Sequence, residues 1–423
     1  MSRGLIVAAP ASGSGKTTLT LGLLRALHRR GLPVRGAKSG PDYIDPRFHE
    51  AACARPCFNL DAWAMPPALI RGLAAGDGDL IVEGAMGLFD GAPPEGRGST
   101  ADLARILGLP VVLVVDAGRM AQSVAPLVAG FARHDPHVHI AGVILNNTGS
   151  PRHAAMLRRA VASLGLPVLG ALPRDAGLVH PSRHLGLVQA GERADLESFL
   201  DAAAALVATS VDLDPLVGLM APLATAAPAP TAKPPAQRIA LASDRAFAFA
   251  YPHLLQAWRA AGANVTPFSP LADEPVPEAD LVILPGGYPE LHAGPLSAAR
   301  TFMQSLRNTA ESTNIYGECG GYMVLGDSLT DADGTRHPMA GLLRLSTSFA
   351  ARRLHLGYRT LSADTGPFAG TWAGHEFHYA TTLEARGIPL FEATDAEGNR
   401  LPPMGLREGW VAGSFAHLIA PRT

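Results

Sequence analysis

Two α/β domains are what this sequence predicts, the first a doubly wound, mainly parallel sheet built around a Gly-rich phosphate loop. Three observations lead there. Residues 1–210 alternate short apolar runs with helically spaced segments, the pattern of parallel strands joined by crossover helices. Residues 221–237 (APLATAAPAPTAKPPAQ) form a Pro/Ala/Thr tract with no apolar period, as a semi-extended linker does. Beyond it a second alternation begins and runs into a tail expected to hold short strands and turns. The predicted boundaries are therefore 1–220, a linker over 221–237, and 238–423. A chain of 423 residues also exceeds one ordinary core.

Bulk properties narrow the function classes. Net charge is −2, so no field for a polyanion exists and nucleic acid is not an expected partner. Three cysteines, Cys53, Cys57 and Cys319, make no disulfide framework, which fits a reducing cytoplasm. The first residues lack the pattern of a signal peptide, and the longest apolar runs, such as Val111–Val115, fall far short of the ~20 residues of a membrane span. A cytoplasmic protein with no membrane partner is expected.

In chain order, Leu5–Ala9 reads as a buried strand. Gly13-Ser14-Gly15-Lys16-Thr17-Thr18 follows, and Thr17–Arg30 carries Leu19, Leu23, Leu24 and Leu27 at helical spacing. Strand, Gly-rich turn and helix make a phosphate cradle. The glycines let backbone N–H groups approach phosphate oxygens, and the helix N-terminus adds positive charge. Lys16 can reach terminal phosphates and the Thr17 hydroxyl can hold Mg²⁺, so ATP and Mg²⁺ are the expected ligands. Pro10 stands where the usual pattern has its first glycine.

Further strands are predicted at Val34–Lys38, Asp79–Val82, Val111–Val115, His139–Leu145 and Val168–Ala171. Ligands of such sheets gather at the C-terminal strand ends. Glu83 ends one strand and is expected to supply the second Mg²⁺ contact. Asp42 and Asp45 in KSGPDYIDP are candidates for Mg²⁺ or for orienting a substrate carboxylate. Asn146 can hydrogen-bond an adenine edge.

In the second domain, strands are predicted at Arg238–Ala242, Asn264–Phe268, Leu281–Leu284 and Asn314–Tyr316. The last runs into Gly317-Glu318-Cys319-Gly320-Gly321, a strand–turn–helix elbow that lifts a cysteine above the sheet. The helix N-terminus is expected to lower the thiol pKa. Gly286 and Gly287, after a neighbouring strand, offer backbone N–H groups for an oxyanion hole. A base is required, and His417, His375 and His378 are all candidates.

The segments APASGSGKTT, KSGPDYIDP, VEGAMGLFDG, LPGGYPE, YGECGGYM and GHEFHY, in this order, resemble the a,c-diamide synthases of corrinoid biosynthesis. The resemblance covers nearly the whole chain. Its N-terminal half is also similar to dethiobiotin synthetase, and its C-terminal half resembles class I glutamine amidotransferases, in the cobyrinic/cobyric acid branch that uses Cys and His without the usual third acid. The resemblance implies a ligase with ATP, L-glutamine and a corrinoid carboxylate as substrates. Mg²⁺ would sit on Thr17, Asp42 and Glu83, and Asp45, Asp90, Ser99 and Thr100 would face the corrin. Cys319 would attack glutamine and His417 would move protons. The family's C-terminal histidine run is reduced here to Ser414-Phe415-Ala416-His417, with no evident carboxylate partner for His417. Arg-rich, Lys-poor composition tilts the corrinoid toward hydrogenobyrinate over cobyrinate. Nickel-sirohydrochlorin a,c-diamide synthase and cobyric acid synthase are the close alternatives, and a homodimer stays open. A partitioning-type switch ATPase is the alternative from another class. Such switches usually carry a further lysine early in the loop, and residues 10–14 have none.

Overall fold

The computed structural model describes residues 2–175, 178, 182–183, 186–187, 189–224 and 233–422. The chain divides into two compact units, 1–230 and 231–423. Residues 225–232 of the predicted linker lie outside the described residues. Among the described residues no helix is long and apolar enough to cross a membrane.

The first unit runs β1 (Arg3–Ala8), α1 (Lys16–Arg29), β2 (Val34–Ser39), α2 (Asp45–Cys53), β3 (Phe58–Leu60), α3 (Pro67–Ala74), β4 (Asp79–Glu83) and α4 (Thr100–Leu107). It continues with β5 (Val111–Asp116), α5 (Val124–His134), β6 (Ile140–Thr148), α6 (Pro151–Ala162) and β7 (Val168–Pro173). The short β8 (Ser182–Arg183) and β9 (Gly186–Leu187) pair with each other, and α7 (Leu196–Ser210), α8 (Leu213–Gly218) and β10 (Ala221–Pro222) follow. The main sheet has the order β3-β2-β4-β1-β5-β6-β7, all parallel. β10 adds an antiparallel partner to β1, with Arg3 opposite Pro222. The start of the expected linker is thus a strand: the backbone of Ala221 and Pro222 completes the sheet beside β1.

The central strands are buried on both faces, which is why they read as unbroken apolar runs. Leu5, Ile6 and Val7 of β1 have no exposed surface. Each such side chain contributes roughly 1.5–3 kcal/mol of burial. β1 lies between β4 and β5, so the chain winds outward in both directions from it. The C-terminal end of β1 is therefore the topological switch point, and the Gly-rich turn sits there.

The second unit opens with β11 (Arg238–Ala242), α9 (Pro252–Ala260), β12 (Asn264–Phe268), β13 (Leu281–Leu284), α10 (Ala293–Ala298), α11 (Arg300–Thr309), β14 (Asn314–Glu318) and α12 (Gly320–Leu325). Then come β15 (Ser328–Thr330), β16 (Arg336–Pro338), β17 (Arg344–Ser348), β18 (His355–Ala363), β19 (Gly370–His378) and β20 (Thr381–Arg386). The last are β21 (Ile388–Thr394), β22 (Arg400–Glu408), β23 (Val411–Ser414) and β24 (Ala416–Pro421). The large sheet has the order β12-β11-β13-β14-β23-β22-β21-β18-β19-β24. It is parallel from β12 to β23 and antiparallel beyond. The tail departs from the expected short strands: β18, β19 and β22 each span 9 residues. This antiparallel ribbon returns the chain to the core, where β24 follows β23 directly and lies beside β19.

Candidate functional site

At the end of β1 the Gly-rich turn wraps a cavity of about 520 Å³ lined by Gly13, Gly15, Lys16, Thr17, Lys38 and Glu83 among others. Gly13 and Gly15 both take left-handed backbone (φ 78° and 84°), which a side chain would strain. A Cβ on Gly15 would lie 2.1 Å from the Asn146 amide nitrogen. That nitrogen donates to the Ser14 carbonyl at 2.9 Å, so Asn146 braces the loop as well as lining the cavity. Thr18 lines the cavity too. Lys16 donates to the carbonyls of Ala11 (3.2 Å) and Met86 (2.6 Å). Burial lowers the Lys16 pKa, with Glu83 opposing.

Glu83 is fully buried at the end of β4 and receives three donors. Thr17 Oγ1 donates to its Oε1 at 2.6 Å and Lys38 Nζ to the same oxygen at 2.7 Å. His49 Nε2 lies 2.7 Å from Oε2. Burial alone would raise the Glu83 pKa; the Lys38 charge and the His49 contact outweigh it and hold the carboxyl well below its usual range. Lys38 also donates to Asp45 Oδ2 at 2.5 Å and is held firmly protonated.

Several expected roles change here. Asp45 does not face the cavity: it is buried against Lys38, and burial with the neighbouring Asp42 charge pushes it up to about 8. Its Oδ1 has no hydrogen-bond partner among the described residues. Asp42 Oδ1 accepts from the backbone N–H groups of Ile44 and Asp45, anchoring the start of α2. Its Oδ2 lies 4.0 Å from Lys38 Nζ. Ser99 and Thr100, expected to face substrate, are buried instead. Ser99 caps α4 in a reciprocal box with Asp102, and Thr100 Oγ1 donates to the Ala85 carbonyl. Asp90 is exposed, with one oxygen accepting the Gly87 N–H.

His49 and Lys38 are the partners that sequence reasoning missed as a network. A signal existed: Asp45 and His49 are four residues apart on α2, so they share a helix face. That this face meets the end of β4 is a tertiary fact.

In the second unit Cys319 sits between β14 and α12 with φ 46° and ψ −104°, a backbone that costs a non-glycine residue about 1–3 kcal/mol. This is the expected elbow. The thiol is buried and its Sγ approaches the Phe377 carbonyl at 3.8 Å. Burial and the Glu290 charge push its pKa well above the ordinary value, outweighing the Gly320 N–H. The expected lowering by the helix N-terminus is thus overturned: α12 has only 6 residues, and desolvation dominates.

Gly286 makes room for the base. A Cβ there would lie 2.2 Å from His417 Cε1, 2.9 Å from its Nε2 and 3.2 Å from Cys319 Cβ. His417 and Cys319 therefore meet across this glycine. Gly287 is equally committed, since a Cβ would strike the Ala246 carbonyl oxygen at 2.0 Å. The other two histidine candidates sit differently. His378 Nε2 lies 3.0 Å from Glu376 Oε1, and its ring stacks on Phe415 at 4.0 Å. His375 lies opposite His417 on the paired strand, and burial with His417 pushes it down to about 3. A carboxylate does come near His417: Glu318 Oε2 lies 3.6 Å from its Nδ1.

The chain matches two protein families, the CobQ/CobB/MinD/ParA nucleotide binding domain over residues 5–188 and the CobB/CobQ-like glutamine amidotransferase domain over residues 238–422. It is 58% identical over 435 residues to the hydrogenobyrinate a,c-diamide synthase of Rhodobacter capsulatus, covering 99% of each chain. The proteins of the same name from Rhizobium meliloti and Brucella anthropi are 56% and 55% identical, with at least 98% of each chain covered.

Proposed function

Because the chain belongs to the hydrogenobyrinate a,c-diamide synthase family, we propose that it amidates the a and c acetate carboxylates of hydrogenobyrinate, using ATP and glutamine. The carrying observation is that one chain holds both a phosphate cradle at a sheet switch point and a strained cysteine meeting a histidine. Residues 1–220 act as the amidoligase and 238–423 as the amidotransferase, in the cytoplasm.

In the amidoligase the cradle of Gly13, Ser14, Gly15, Lys16, Thr17 and Thr18 holds the ATP phosphates, and Asn146 lies beside it. Transfer of the γ-phosphoryl group to a corrin acetate turns a poor electrophile into an acyl phosphate. Lys16 offsets the charge on the moving group. The donor set fits Mg²⁺: Thr17 and Glu83, which line the cavity, would hold it through hard oxygens, with Asp42 close by beside Lys38. When bound, the ion neutralises phosphoryl charge. Asp90, exposed beside the cradle loop, is the remaining acid for the corrin.

In the amidotransferase His417 takes the Cys319 proton as sulfur attacks the glutamine side-chain carbonyl carbon. Gly286 and Gly287 N–H groups hold the oxyanion. The tetrahedral adduct collapses with a proton from His417 to the leaving nitrogen, releasing ammonia and leaving a thioester that water hydrolyses. Ammonia displaces phosphate from the acyl phosphate, and the cycle runs twice.

The test is turnover of the purified protein with Mg²⁺, ATP and glutamine on hydrogenobyrinate, cobyrinate and nickel-sirohydrochlorin in parallel, read by mass spectrometry. Double amidation of hydrogenobyrinate is expected. Preference for either of the other two would replace the substrate, and no amidation of any would sink the reading.

A further inference from the structure

We propose that Glu318, the residue before the nucleophile, is the carboxylate that orients His417 in glutamine hydrolysis. The inference rests on the reading of the second unit as a glutaminase and deepens it. Glu318 ends β14, and His417 lies on β24. Glu318 Oε2 lies 3.6 Å from His417 Nδ1. Its other oxygen accepts the Leu418 N–H at 3.1 Å, so the carboxylate is tied to the very strand that carries the histidine. The opposite edge of the ring, Cε1 and Nε2, faces Gly286 and Cys319. Carboxylate, Nδ1, Nε2 and the Cys319 side chain thus follow in the order that an acid–base–nucleophile relay requires. The strand of His417 offers no alternative, since Leu418, Ile419 and Ala420 are apolar.

A separation of 3.6 Å exceeds a good hydrogen bond. It is within reach of charge, and such contacts are often long before substrate binds. Glu318 would favour the Nδ1–H tautomer, leaving Nε2 to accept the thiol proton, and would stabilise the imidazolium that forms. Three neighbouring titratable groups act differently. His375, on the paired β19, is held neutral by burial. Glu290 and Glu376 act on the Cys319 thiol, which they disfavour as thiolate, as Glu318 itself also does. Glu376 is itself paired with Arg359 (2.8 Å) and His378 (3.0 Å). Glu318 is a positioning residue in this scheme: it touches the base and not the substrate.

The experiment compares Glu318→Gln and Glu318→Asp with the natural protein for glutamine hydrolysis across pH, and for synthesis driven by added ammonia. Glu318→Gln is expected to lower glutaminase kcat on the order of 10²-fold, less than the ~10⁴ seen when a fully bonded triad acid is neutralised. KM should hold. The acidic limb of kcat/KM should move to lower pH, because loss of a neighbouring anion makes imidazolium less favourable. Glu318→Asp should recover part of the rate and leave the limb in place. The second unit's calorimetric transition reports folding of the variants, and ammonia-driven synthesis, the work of the other unit, should stay unchanged. The proposal is overturned if Glu318→Gln keeps the limb and a rate within about threefold, or if Glu318→Asp loses as much as Glu318→Gln. Should Glu318→Gln fail to fold, the Asp variant decides by the same two readouts. A natural protein without any glutaminase activity would sink the amidotransferase reading instead.

Discussion

Around Glu83, a lysine, a histidine, a threonine and a second acid meet in a buried network, whereas at Cys319 the nucleophile itself and the neighbouring His375 are held uncharged. Lys38 sits 2.7 Å from Glu83 and 2.5 Å from Asp45, so the first site stores charge at rest. Cys319 is kept as a thiol by burial and Glu290, and His375 is kept neutral by burial. The difference follows from the ligands each would take. A nucleotide triphosphate arrives highly charged and needs fixed counter-charges. Glutamine's amide is neutral, and charge appears only as the proton moves from sulfur to nitrogen.

That contrast can be broken at each site separately. The largest effect is expected for Cys319→Ser: glutamine-dependent synthesis should fall by at least about 10⁴-fold, while ammonia-dependent synthesis stays within twofold. Steady-state rates with the two nitrogen sources measure this. Survival of glutamine-dependent turnover would end the two-site scheme.

Next comes Lys38→Met, which leaves Asp45 and Glu83 buried without their shared cation. The first unit should lose about 3–5 kcal/mol, as buried charges do when a partner is removed. Calorimetry should show its transition falling while that of the second unit, and glutaminase activity, stay put. A uniform shift of both transitions would argue against a network confined to one unit.

The smallest effect concerns acid. His253 in the second unit is buried, its Nε2 donates to the Ile419 carbonyl at 2.8 Å, and burial pushes it down from 6.5 to about 4. Between those values the unfolded chain binds a proton that the folded one does not, so stability falls as pH drops from 6.5 to 4 and levels below. The loss is about 3 kcal/mol. Urea unfolding of the natural protein and of His253→Gln across this window should give a flatter profile for the variant. Equal slopes would assign the acid sensitivity to other groups.

Much of this was legible in the residues. The strands at Arg238–Ala242, Asn264–Phe268 and Leu281–Leu284 match their predicted bounds, because short apolar runs between turn residues have few alternatives. The elbow at Cys319 was readable because glycines on both sides allow its close packing: a Cβ on Gly321 would strike the Leu284 carbonyl oxygen at 1.9 Å. What misled was polarity without context. Ser99 and Thr100 looked like substrate ligands and are a helix cap and a buried brace. A hydroxyl at a strand-to-helix turn serves either purpose, and only its neighbours distinguish them. The long β18 and β19 were missed because the alternation in them is interrupted by glycines and polar residues.

By itself the sequence determined which chemistry each unit carries, since a phosphate cradle and a nucleophile elbow are local motifs whose backbone geometry is encoded within a few residues. The tertiary structure alone decided who partners whom. His49 reaches Glu83 from 34 residues away, and Glu318 reaches the strand of His417 from 100. Such pairs depend on how a helix face meets a strand end, or on the order of strands in a sheet, and one-dimensional periodicity does not carry that information.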